Sequence, residues 1–89
     1  MIPLGHMDRI VLQAPHRLVS ENRLDFRRDA LERLSRATAD GARRITIDLG
    51  ETREVDASGL GVLVLVQKRA RESFLHTCLT HTPPSVRQL

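Results

Sequence analysis

Apolar and polar positions along this chain change period several times, and each change marks an element. Short apolar runs, Ile10 to Leu12 and Leu18-Val19, lie within Asp8 to Ala14 and Arg17 to Leu24, which read as two short strands joined at Pro15-His16. Ala30, Leu31, Leu34 and Ala37 or Thr38 then recur at helical spacing. Asp25 stands ahead of them as the expected N-cap, because its short carboxylate can accept from the first free amides. Asp29 with Arg33 and Glu32 with Arg36 are expected i,i+4 pairs on the outer face, and Gly41 is expected to end the helix. Arg44-Ile45-Thr46-Ile47-Asp48-Leu49 alternates cleanly, as a half-buried strand should. Leu75 to His81 predicts a further strand, and Pro83-Pro84 suits the start of another helix. Alternation of this kind predicts an α/β domain with helices packed on a mixed sheet.

One stretch reads two ways. Val62-Leu63-Val64-Leu65-Val66 is apolar all round and rich in β-branched residues, so periodicity alone allows a buried strand. Three features favour a helix. Gly59 and Gly61 suit a tight turn; Leu63, Val66, Ala70 and Phe74 form a helical core stripe; and Glu51, Glu54 and Asp56 precede the run while Lys68, Arg69 and Arg71 close it, which complements a helix dipole. A helix also creates a second stripe of Ser58, Gly61, Leu65, Lys68 and Glu72. An apolar Leu65 on that outer face, with Val64 beside it, is either covered by another element or offered to a partner.

The turn before this helix, Asp56-Ala57-Ser58-Gly59-Leu60-Gly61, carries the candidate chemistry. A serine at a strand-to-helix turn meets amides that lack helical partners and a dipole that favours negative charge. Ser58 is therefore either a plain cap or a residue that can carry a phosphate. Asp56 reads first as a cap.

Composition narrows the partners. Eighty-nine residues make one small domain. The longest apolar run, Val62 to Val66, is far short of a membrane span, and no signal-peptide pattern opens the chain. A lone Cys78 permits no internal disulfide and suits a reducing cytoplasm, where it reads as a small core residue. The net charge of +3 comes from 14 basic residues scattered among 11 acids, with Phe26 and Phe74 the only aromatics. That is not the clustered, stacking surface of a nucleic-acid binder.

Enzyme readings fare poorly. Asp56 occupies the first glycine position of a G-x-S-x-G elbow, and no histidine is near Ser58 in sequence. Val64 stands where a dinucleotide fingerprint needs its third glycine. His76 and Cys78 share a strand face that excludes His81, so no metal or other cofactor is expected.

Ile45 to Leu49, followed by Val55-Asp56-Ala57-Ser58-Gly59-Leu60-Gly61-Val62-Leu63, resembles the core of the STAS domain, a family that includes the bacterial anti-sigma factor antagonists. The likeness runs from about Ile10 to the end in the same element order, and Pro84 to Leu89 resembles the opening of the family's last helix. The resemblance implies a mixed four-stranded sheet with helices mainly on one face and a single domain over residues 8–89; residues 1–7 read from the sequence as a flexible N-terminus or cloning leftover. It implies that Ser58 is phosphorylated by a cognate anti-sigma factor with kinase activity. The unmodified form would bind that factor through Asp56, Ser58, Gly59, Gly61, Leu65 and Lys68 and so free a sigma factor for transcription. The alternative is a STAS subunit of a larger assembly, either a stress-signalling scaffold or the cytoplasmic accessory of a lipid-transporting ABC system.

Three positions depart from the family pattern. Asn22 sits where glycine is frequent, and Ala57 lacks the hydroxyl often found beside the modified serine. The last helix is expected to be short at Leu89; either the chain is cut there or part of a covering helix is lost, and exposed core would favour a homodimer.

Overall fold

The computed structural model describes residues 9–82. In chain order it contains β1 (Arg9–Gln13), β2 (Arg17–Leu18), α1 (Arg23–Ala39), β3 (Arg44–Asp48), β4 (Glu54–Val55), α2 (Ala57–Glu72) and β5 (His76–Thr80). The further helix expected after Pro83 lies outside the described residues.

The sheet corrects one expectation. In place of one mixed four-stranded sheet, the described residues form a three-stranded parallel sheet in the order β1-β3-β5 and a two-stranded parallel ribbon of β2 with β4. The two N-terminal strands do not pair with each other. Each crosses over to a later strand, which is what parallel pairing demands of elements separated by a helix. β2 is also far shorter than the expected Arg17 to Leu24, because the chain turns at Val19 and Ser20 to enter α1.

Pleating fixes which residues face inward. Register places Ile10, Ile45 and Thr77 in one row and Leu12, Ile47 and Leu79 in another. Ile45, Ile47 and Leu12 are buried there with Phe26, Ala30, Leu34 and Ala37 of α1 and with Val62, Leu63, Val66 and Ala70 of α2. The intervening row of Val11, Thr46 and Cys78 lies on the opposite, more open face. Cys78 is therefore exposed, not a core residue, since it alternates with Thr77 and Leu79 on an edge strand.

The ambiguous run Val62 to Val66 is helical. Val62, Leu63 and Val66 point into the core while Val64 stays 56% exposed. The predicted core stripe holds for Leu63, Val66 and Ala70 but fails at Phe74, which is 93% exposed. The reason lies in how α2 ends. The Phe74 amide donates to the Arg71 carbonyl at 3.0 Å and the Leu75 amide to the Ala70 carbonyl at 2.8 Å. This closure is a Schellman motif with Phe74 left-handed at φ 61, and it turns Leu75 inward in Phe74's place. α1 ends by the same motif, through Gly41 to Thr38 at 3.2 Å and Ala42 to Ala37 at 2.9 Å, but there a glycine takes the left-handed position at φ 80.

α1 starts earlier than its sequence suggests. Its N-cap is Asn22, and Asp25 lies within the first turn. Asn22 itself is not left-handed, with φ −120, and makes no side-chain cap bond. On the outer face Glu32 and Arg36 approach to 4.0 Å as expected. Arg33 instead donates to the Val11 carbonyl at 3.1 Å, and Arg28 approaches Asp25 at 3.6 Å and Asp29 at 3.7 Å.

Candidate functional site

Asp56 organises the start of α2. One carboxylate oxygen, Oδ1, accepts from the Gly59 amide at 2.8 Å, capping the helix. The other, Oδ2, accepts from the Ser20 amide at 3.0 Å, tying the helix start to the loop after β2. The Gly59 amide, then the Ser20 amide, hold this carboxyl below the usual aspartate range, with smaller help from the Ser58 amide and the charge of Arg23.

Gly59 is required by packing. A Cβ added there would lie 2.0 Å from the Leu18 carbonyl oxygen and 2.7 Å from its carbon, a clash with backbone that no rotamer relieves. The same carbonyl accepts from the Asp56 amide at 3.3 Å, so β2 runs directly against the turn. Gly61 differs. A Cβ there would meet nothing within 4 Å. Glycine in a helix interior costs about 0.5–1 kcal/mol relative to alanine, and no contact within the described residues offsets that cost at Gly61.

Ser58 is half-buried at the second position of α2 and is not its cap. With Asp56 performing that task, the Ser58 hydroxyl enters no hydrogen bond among the described residues. It opens onto a groove of about 300 Å³ lined by Arg23, Leu24 and Arg27 of α1 and by Ser58, Gly61, Val62 and Leu65 of α2. Leu24 is 59% exposed on that edge.

Of the residues singled out from the sequence, Ser58, Gly61 and Leu65 therefore share one groove, with Asp56 and Gly59 supporting it from beneath. Lys68 is exposed farther along α2 and does not line it. Arg23, Leu24 and Arg27 were missed. Their signal was present, since Arg23 and Arg27 stand four apart on one helix face, but it shows only when α1 begins near residue 22.

A larger groove of about 560 Å³ lies between α1 and the end of β1, lined in part by Asp25, Asp29, Glu32, Arg33 and Arg36. Each of these side chains is already engaged: Glu32 with Arg36, Asp25 and Asp29 with Arg28, and Arg33 with the Val11 carbonyl. Among the described residues no group of three metal-ligating side chains comes together, and no helix is long and apolar enough to cross a membrane.

Comparison with curated proteins gives no match. A family model described as "Mlab, STAS domain" matches residues 6–89. That span takes in every element above and the whole Asp56 to Gly61 turn, and the chain belongs to the STAS domain family.

Proposed function

We propose that this chain is an anti-sigma factor antagonist: a protein-binding STAS domain that engages a cognate anti-sigma kinase through the Ser58 groove and is released when Ser58 is phosphorylated. The observation that carries this reading is the division of labour at the start of α2. Asp56 caps the helix, and the Ser58 hydroxyl is left free and open to the groove. A phosphate there would add about −1.5 to −2 charges and three acceptor oxygens at a helix start that tolerates anions. Fold stability would change little. The same charge in a docking groove is costly to desolvate, so partner binding would fall.

A second reading is favoured by the apolar exposure of Leu24 at 59% and Val64 at 56% beside Leu65. It makes the domain a permanently packed, unmodified subunit of a larger assembly, such as the cytoplasmic accessory of a lipid-transporting ABC system.

Titration calorimetry separates the two. The purified anti-sigma kinase from the same genome is titrated with unmodified chain and with chain carrying phosphoserine at position 58. The antagonist reading expects affinity roughly tenfold or more weaker for the phosphorylated form. Equal affinities, or no binding of either form, would transfer support to the assembly subunit.

A further inference from the structure

The arginines of α1 fall into two sets. Arg28 lies near Asp25 and Asp29, Arg36 near Glu32, and Arg33 donates to the Val11 carbonyl. Arg23 and Arg27 have no such partner among the described residues, and both line the groove that Ser58 opens onto. Their spacing of four puts both guanidinium groups on one face of α1. Asp56, the acid on which the Arg23 charge acts, already accepts two backbone amides. Two cations that make no ion pair or side-chain hydrogen bond among the described residues thus border one free hydroxyl, with Arg23 acting on Asp56 only through its charge.

We propose that Arg23 and Arg27 form an internal receptor for a phosphate on Ser58. This rests on the reading of Ser58 as the modified residue. The donor is a nucleoside triphosphate held by the kinase. A bond forms between Ser58 Oγ and the γ-phosphorus, the bridging bond to the β-phosphate breaks, the nucleoside diphosphate leaves, and the Oγ proton passes to a base of the kinase. The product carries three oxygens that match the planar forks of two guanidinium groups, which bind phosphate through paired, charge-assisted hydrogen bonds. Before modification, both arginines are available to acidic groups of a docked partner. Afterwards they turn onto their own phosphate. One modification then removes two cations from the docking face and adds an anion within it.

The test uses the full chain with phosphoserine installed at position 58 during translation, so no kinase is needed. Phosphorus NMR reads the second ionisation of the phosphate as pH is varied. In the otherwise unaltered chain that ionisation is expected below the ordinary value of about 6. In the R23Q/R27Q chain it should return to that value, with R23K/R27K falling between because charge is kept and the fork is lost. The same ionisation in all three chains would overturn the proposal. Thermal melts of the unmodified variants confirm that each is folded. Failure of the underlying reading would appear differently: the kinase and ATP would leave Ser58 untouched while the installed phosphate still titrated low.

Discussion

The two helices begin differently on either side of one groove. At α1 the N-cap side chain does nothing for its own helix. Asn22 Oδ1 accepts from the Val19 amide at 3.0 Å and Nδ2 donates to the Arg17 carbonyl at 2.7 Å, so the residue braces the incoming loop. At α2 the N-cap serves both purposes, since Asp56 caps the helix and receives that same loop through the Ser20 amide. The segment from Leu18 to Asn22 is thereby clamped between two helix starts. The comparison separates positions that the fold consumes from positions that it leaves over. Asn22, Asp56 and Gly59 are consumed. Ser58 and Gly61 on α2, with Arg23 and Arg27 on α1, are left over, and they line one groove.

The largest expected effect breaks the clamp. Gly59→Ala drives a Cβ into the Leu18 carbonyl and should cost about 3 kcal/mol, as overpacking against backbone does, read by urea unfolding. A loss below about 0.5 kcal/mol would mean that β2 shifts freely, and the consumed class would lose its clearest member.

Asp56→Ala removes the cap and the Ser20 tether together, and Tm should fall by about 5 °C. Asp56→Asn sharpens the electrostatic part. Because folding lowers the Asp56 pKa, its contribution is complete above the unfolded value of about 4 and is lost as pH falls through the folded value. The asparagine variant should melt below wild type near neutral pH and draw level with it in acid. A gap of constant size across that range would contradict the charge argument.

Helix C-termini provide a control remote from the groove. Phe74 holds at φ 61 the left-handed position that Gly41 fills in α1, at a cost of about 1 kcal/mol for an L-residue. Its ring is 93% exposed, so Phe74→Gly sacrifices little packing and should raise stability by about 1 kcal/mol in the same urea experiment. No gain would mean that the exposed ring makes contacts worth as much as the strain.

The smallest stability effect is expected at Gly61, with the sign reversed from Gly59. Gly61→Ala places its methyl in open space and should stabilise the helix by about 0.5–1 kcal/mol while weakening partner binding. Two glycines two residues apart would then answer the same substitution in opposite directions. Unchanged partner affinity would remove Gly61 from the docking groove.

Much of this arrangement was legible in the chain, for identifiable reasons. Ile45, Ile47 and Leu49 alternate strictly, and all three are buried. Gly59 and Gly61, the core stripe, and acids before the run with bases closing it resolved a run that β-branching left ambiguous. Other features were hidden by contacts distant in sequence. Arg17 to Leu24, with Leu18 and Val19 at its start, reads as a strand, yet Asn22 bends it into a loop through bonds that sequence spacing does not reveal. That displaced the start of α1 and concealed Arg23 and Arg27. The strand pairing was hidden because parallel partners lie a helix apart in sequence, so no hairpin turn announces them. Phe74 fell on the core stripe by count, but the helix ends at Glu72, two residues before it, and its closure rotates Leu75 inward.

The central claim is that Ser58, released from capping by Asp56, is the residue that is switched. Intact mass spectrometry after incubation with ATP and the anti-sigma kinase from the same genome tests it most directly, with Ser58→Ala alongside. The account predicts the added mass of one phosphate on the wild-type chain and none on the alanine variant, with both chains equally folded. No added mass on a wild-type chain that still binds the kinase, or an equal gain on Ser58→Ala, would contradict it.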